Sequence, residues 1–213
     1  MVAVMQRAHS SDRGSALVVA LFASLLLAGV GHGLILLTNT EYAIAANHQA
    51  GVEALYAADA ALAQGVSDIR RAPDWTAVLS GTAFSGFLDG TRAPRLPSGE
   101  TMDLDVRTAE LQAQAATDPW GSNNPSWRLF AYGPVRGLGG GIRSRAYVAV
   151  WVADDPAEID GNPLVDSNRV LLLRVEAFGP HRAVRRLTAT VGVPSGDLSG
   201  DLRPRVLSWR EVR

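Results

Sequence analysis

Seven side chains ending in a carboxylate or amide oxygen crowd residues 154–168: Asp154, Asp155, Glu158, Asp160, Asn162, Asp166 and Asn168. Calcium takes oxygen donors of this kind, about six to eight at a time. Their order departs from the helix–loop–helix calcium signature, which closes on a glutamate at its twelfth position. Stretches rich in Asx and glycine also fold into turns through their own side chains, with no metal. The segment therefore reads as a polar surface loop between two strands. No metal and no cofactor is assigned to the chain.

Catalysis finds little to work with. There is no cysteine, which excludes thiolate metal sites, cysteine nucleophiles and disulfides. Of the histidines, His9, His32 and His48 precede the globular part, and only His181 falls in it, at a turn. A hydrolase triad needs such a histidine beside a buried carboxylate and an activated serine, and no Gly-x-Ser-x-Gly turn is present. "GLGGGIR", residues 137–143, has no lysine and no following helix, so it reads as a hairpin connection rather than a phosphate loop. Arg182, Arg185 and Arg186 read as the solvent face of a strand, with Val184 and Leu187 turned the other way. The chain is read as a protein that is not an enzyme.

These residues must be carried by something, and composition says what. The length of 213 residues suits one domain, or a small domain with an appendage. Twenty basic groups, all arginine, against 21 acidic ones leave no basic excess, which argues against a nucleic-acid surface. Apolar residues are concentrated at one end. Residues 15–37 hold no charged side chain. As a helix this run is about 34 Å long at ~1.5 Å per residue, against a hydrocarbon core of about 30 Å. It is too long for the apolar region of an ordinary signal peptide, about 7–15 residues. Arg7 and Arg13 precede the span and no arginine follows until Arg70, so the positive-inside bias leaves the N-terminus in the cytoplasm and the remainder across the membrane.

The helical pattern continues beyond the span. No proline occurs from Glu41 to Arg71. Ile44, His48, Val52, Leu55, Tyr56, Asp59, Leu62, Val66 and Ile69 recur at spacings of three and four, and alanine fills many remaining positions. Whether residues 38–40 break the helix is left open by propensity. Pro73 ends it. Residues 73–98, with their glycines and prolines, read as loops with at most short elements. Met102, Leu104 and Val106 alternate with polar residues as a strand would across 101–108. "WRLFAYGPV", "SRAYVAVWVAD", "NRVLLLRVEAFG" and "RAVRRLTATVGV" are aromatic and β-branched runs, the last two joined by Gly179-Pro180-His181 as a hairpin. The expected fold is α+β: a long N-terminal helix over residues 15–72 packed on an antiparallel sheet of about four strands within residues 73–213. Leu55, Leu62 and Val66 are expected against the sheet, with Gln64 turned away.

Arg13-Gly14-Ser15, then the apolar run, then the alanine-rich helix resembles the class III signal peptide and N-terminal helix of type IV pilin-like proteins. "RGSALVVAL" and "EALYAADAALAQG" are most similar to PilX-type minor pilins, and "RVEAFGPHRAVRRLTATV" and "RVLSWREV" extend the resemblance more weakly. The resemblance implies a prepilin whose leader, residues 1–14, is removed by prepilin peptidase between Gly14 and Ser15, with N-methylation of Ser15. It implies an inner-membrane subunit with its C-terminal domain in the periplasm. Its implied role is to prime pilus assembly with other minor pilins and the major pilin, and then to sit at the filament tip, where a tip adhesin is a further implied partner. Major pilins carry a glutamate at the fifth mature position, where this chain has Val19; that departure fits a minor subunit. The alternatives are a minor pseudopilin of type II secretion, and an uncleaved single-span protein with an external ligand-binding domain.

Overall fold

The computed structural model describes residues 13–118, 120, 123–138, 144–193 and 203–212. The chain falls into two compact units, one ending at Ala46 and the other beginning at Asn47. Helix α1, Arg13–Arg71, runs 59 residues. The threonines at 38 and 40 do not interrupt it. Their hydroxyls donate to the carbonyls of Leu34 (2.9 Å) and Leu36 (3.0 Å), one turn back, as Ser24 does to Ala20 (2.8 Å). Polar side chains are thereby satisfied within the helix that carries them. The helix stops where expected, with Arg70 and Arg71 in the last turn and Pro73 just beyond.

In the second unit, α2 (Trp75–Leu79) starts at Asp74, whose carboxylate accepts the Thr76 amide. Helix α3, Leu104–Thr117, overturns the strand expected over residues 101–108. Asp103 is the reason: its carboxylate accepts the amides of Asp105 (2.9 Å) and Val106 (3.0 Å), capping a run rich in alanine, leucine and glutamine. The apparent alternation was three residues long. The buried set Leu104, Leu111 and Ala115 has helical period.

Five antiparallel strands follow in sequential order: β1 (Arg128–Pro134), β2 (Tyr147–Asp154), β3 (Val170–Phe178), β4 (Val184–Gly192) and β5 (Arg205–Val212). The expectation of about four strands missed β5, which pairs with β4 and leaves most of its side chains exposed. The β3–β4 hairpin forms where expected. Its turn places His181 and Arg182 at positive φ (54° and 60°), as a two-residue primed turn requires.

Strand β2 is buried along its whole length, and its alternate residues serve two cores. Val148, Val150 and Val152 join Leu171, Leu173, Val175, Leu187 and Val191 on the face packed by α1. Tyr147, Ala149, Trp151 and Ala153 join Leu172, Phe178 and Leu111 on the opposite face, beneath α3. A single helix was expected to cover one face; α3 covers much of the other, and Trp151 Nε1 donates to Thr108 Oγ1 on α3 at 2.7 Å.

The sheet-facing side of α1 is made chiefly of small residues. Ala50, Ala54, Ala57, Ala58 and Ala61 are buried beside Leu62, Val66 and Ile69. A Cβ placed on Gly65 would come within 3.2 Å of Leu173 Cδ2, so glycine there permits close approach. Leu62 and Val66 meet the sheet as expected, with Leu55 partly buried beside them. Ile44, Val52 and Tyr56, assigned to the same stripe from their spacing, are exposed. Gln64 is not a bystander: its Nε2 donates to Asp68 Oδ1 at 2.9 Å, and the buried Asp68 also accepts from Ser85 and Arg71.

Candidate functional site

Three places could carry function. The first is the N-terminal part of α1. Gly14 and Ser15 lie in its first turn, and Met1 to Asp12, the greater part of the expected leader, lie outside the described residues. From residue 15 to 45 every side chain is exposed except at Gly31. Leu17, Val19, Phe22, Leu26, Leu27 and Leu36 point outward all round the helix. A helix apolar on every side belongs in lipid or inside protein. By length and composition this one can cross a membrane. His32, the one titratable group of residues 15–37, lies with Nδ1 2.8 Å from the Ala28 carbonyl, a contact in which Nδ1–H donates. Position 19 offers only an exposed valine.

The second place is a buried carboxylate with three arginines. Glu176 on β3 is fully buried. Arg107 of α3 grips it with two bonds, Nε to Oε2 at 3.0 Å and Nη2 to Oε1 at 2.6 Å. Arg174 donates to Oε1 at 3.3 Å, and Arg186 Nε lies 3.4 Å from it. Glu176 holds the Arg107 guanidinium above its ordinary range, with Glu110 adding to the effect; burial lowers Arg174. The register brings the set together, since Glu176 pairs with Arg186 and Arg174 with Thr188 on the face beneath α3. Arg186 was expected on a solvent face and is instead half-buried against this carboxylate. Arg182 does lie at the surface, paired with Glu100, whereas Arg185 is half-buried beside Gly51 of α1 and pairs with Glu211. The arginines line a cleft of about 420 Å³ with Arg210, Thr188 and Trp120. Glu176 already engages three of its four guanidiniums, so the cluster acts first as a clasp between α3 and the sheet. Glu176 and Arg107 escaped sequence reading. The one available signal was Arg174-x-Glu176, two charges on the same face as Leu172 and Phe178.

The third place is the acidic loop, which divides in two. Four of its seven oxygen-bearing residues are given over to local turns, and a fifth, Asp160, also accepts the Asn162 amide (3.0 Å). Asp155 accepts the Ala157 amide (3.1 Å), Asn162 that of Leu164 (3.4 Å), Asn168 that of Val170 (2.8 Å), and Asp166 also that of Val170 (3.3 Å). The other three converge: carboxylate oxygens of Asp154, Glu158 and Asp160 lie within 4.8 Å of one another. The segment is a largely exposed loop between β2 and β3, as expected, but Asp154, at the end of β2, is fully buried and Glu158 is 5% exposed. Burial raises Asp154. Burial and then the neighbouring Asp154 push Glu158 up to about 7. Ser167 donates to Glu158 through its amide (2.9 Å) and its hydroxyl. A residue that sequence reading passed over completes the group. Asn123, 1% exposed, donates Nδ2 to Asp154 Oδ2 at 2.7 Å and to the Asp155 carbonyl at 3.2 Å. Its Oδ1 is buried with no partner among the described residues. The glycine-rich connection expected at 137–143 lies beyond residue 138 outside the described residues.

Compared with models of known families, with characterised proteins and with solved structures, the chain matches none of them.

Proposed function

We propose that this chain is a minor pilin of the PilX type. In this reading it is made as a prepilin, held in the inner membrane by residues 15–37, and used to prime type IV pilus assembly at the filament tip. The observation that carries the reading is one helix. It begins at Arg13-Gly14-Ser15, exposes apolar side chains all round over its first half, and in its second half packs alanines and glycines against an antiparallel sheet. The first half suits lipid now and neighbouring helices later. The second half is the spine of the folded unit. No catalytic role is assigned to any residue; the partners are prepilin peptidase, the other pilins and a tip adhesin. A type II secretion pseudopilin shares the same topology and is the nearest alternative.

Processing tests the proposal. In a host with active prepilin peptidase, mass spectrometry of the membrane-extracted protein is expected to find Ser15 at the N-terminus, carrying a methyl group. Gly14→Val should block the cut, because a β-branched side chain crowds the scissile bond the peptidase must reach. A mature chain that still begins at Met1 would support the uncleaved single-span anchor instead.

A further inference from the structure

We propose that Asp154, Glu158, Asp160 and Asn123 form a calcium site that ties the end of β2 to the segment preceding β1. The carboxylates alone would not justify this, because acidic clusters are common without an ion. The second observation is Asn123. It comes from a different part of the chain and is 1% exposed. Its amide nitrogen is committed to Asp154 Oδ2 at 2.7 Å, so the carbonyl oxygen of the same amide lies near that carboxylate. That oxygen accepts nothing among the described residues. A buried amide oxygen without a donor costs about 1–3 kcal/mol, and a cation shared with the adjacent carboxylates removes that cost.

The charge points the same way. Among the described residues no arginine is within ion-pair distance of Asp154 or Asp160. The fully buried Asp154 beside Asp160 needs a cation or a bound proton. Donor type and spacing select the ion. All the donors are oxygens, which calcium and magnesium prefer to softer metals. The carboxylate oxygens fall within 4.8 Å of one another, close enough to share one ion, and calcium tolerates the irregular geometry of such a set. Magnesium requires bonds of about 2.0–2.1 Å and a stricter octahedron. One oxygen from each of the four residues, together with water on the open side at the exposed Asp160, would bring the coordination number to calcium's usual six to eight.

The test uses the full chain in detergent micelles, stripped with EDTA and titrated with CaCl2 by calorimetry and by thermal unfolding. One binding event per chain is expected. At a hundredfold excess over Kd the melting temperature should rise on the order of 5–10 °C. Asp160→Asn removes an exposed ligand without disturbing the core. It should weaken binding at least tenfold while leaving the melting temperature in EDTA unchanged. Asn123→Ala should also weaken binding. The proposal is overturned if the folded chain takes up no calcium at 10 mM, which would leave bound protons to neutralise the cluster. It is equally overturned if MgCl2 raises the melting temperature as much as CaCl2 does, or if Asp160→Asn binds calcium like the parent.

Discussion

At the scale of single residues, the polar groups with most at stake are those facing inward. Glu176 is the clearest. Three guanidiniums converge on one fully buried carboxylate, and the arrangement stands because that carboxylate neutralises them. Removing one partner of a buried ion pair typically costs about 3–5 kcal/mol. Glu176→Gln keeps the shape and removes the charge, so it should destabilise the chain by about that much. Arg186→Met should cost far less, because Arg186 is partly exposed and Arg107 still holds the carboxylate with two bonds. Thermal unfolding of both variants in micelles checks this; equal, small losses would show that Glu176 is not the keystone. None of this was legible beforehand. Residue type and strand alternation placed Glu176 on a face, but only the unforeseen α3 explains why that face is buried. The acidic loop was half legible, since turn chemistry accounts for Asp155, Asn162, Asp166 and Asn168. The contact of Asn123 with the buried Asp154 joins residues 31 apart in the sequence, which no local pattern reveals.

At the scale of elements, the sequence is informative where period and composition agree and misleading where a short pattern competes with a cap. Four strands and the β3–β4 hairpin were readable from aromatic and β-branched runs. The start of α3 mimicked a strand through three alternating apolar residues, Met102, Leu104 and Val106, and the cap at Asp103 decided it. The α1 stripe was read from large apolar side chains, whereas alanine and glycine let the helix approach the sheet and leave Val52 and Tyr56 outside. Leu62, at 4% exposure, is one of the large residues committed to that contact, with Val66 and Ile69. Leu62→Ala is expected to cost about 2–5 kcal/mol. Tyr56→Ala is the proper control at 70% exposure, and its cost should stay within about 0.5 kcal/mol. Gln64 cannot serve, because it supports the buried Asp68. Circular dichroism melts of the three chains decide the matter. A Leu62→Ala melt matching the parent would mean that α1 contributes little to the core.

At the scale of the whole molecule, the membrane-compatible helix was plain in the sequence because lipid selects on composition alone. On the proposed reading it serves a filament, and a filament contact is made by two chains, so one sequence shows only half of it. Position 19 bears on it most directly. A carboxylate held in lipid costs a few kcal/mol, and a subunit that repeats along a filament recovers this only by pairing with the terminal ammonium of its neighbour. Val19 carries no such cost and makes no such pair. On the proposed reading, a chain of this kind is therefore at a disadvantage at every repeating position and suited to the few positions at the tip. Quantitative mass spectrometry of sheared filaments should find it far below the major subunit, and deleting it should reduce filament number rather than filament composition. Recovery in equal amounts with the major subunit would overturn the minor-pilin assignment while leaving the cleavage at Gly14 and the calcium site untouched.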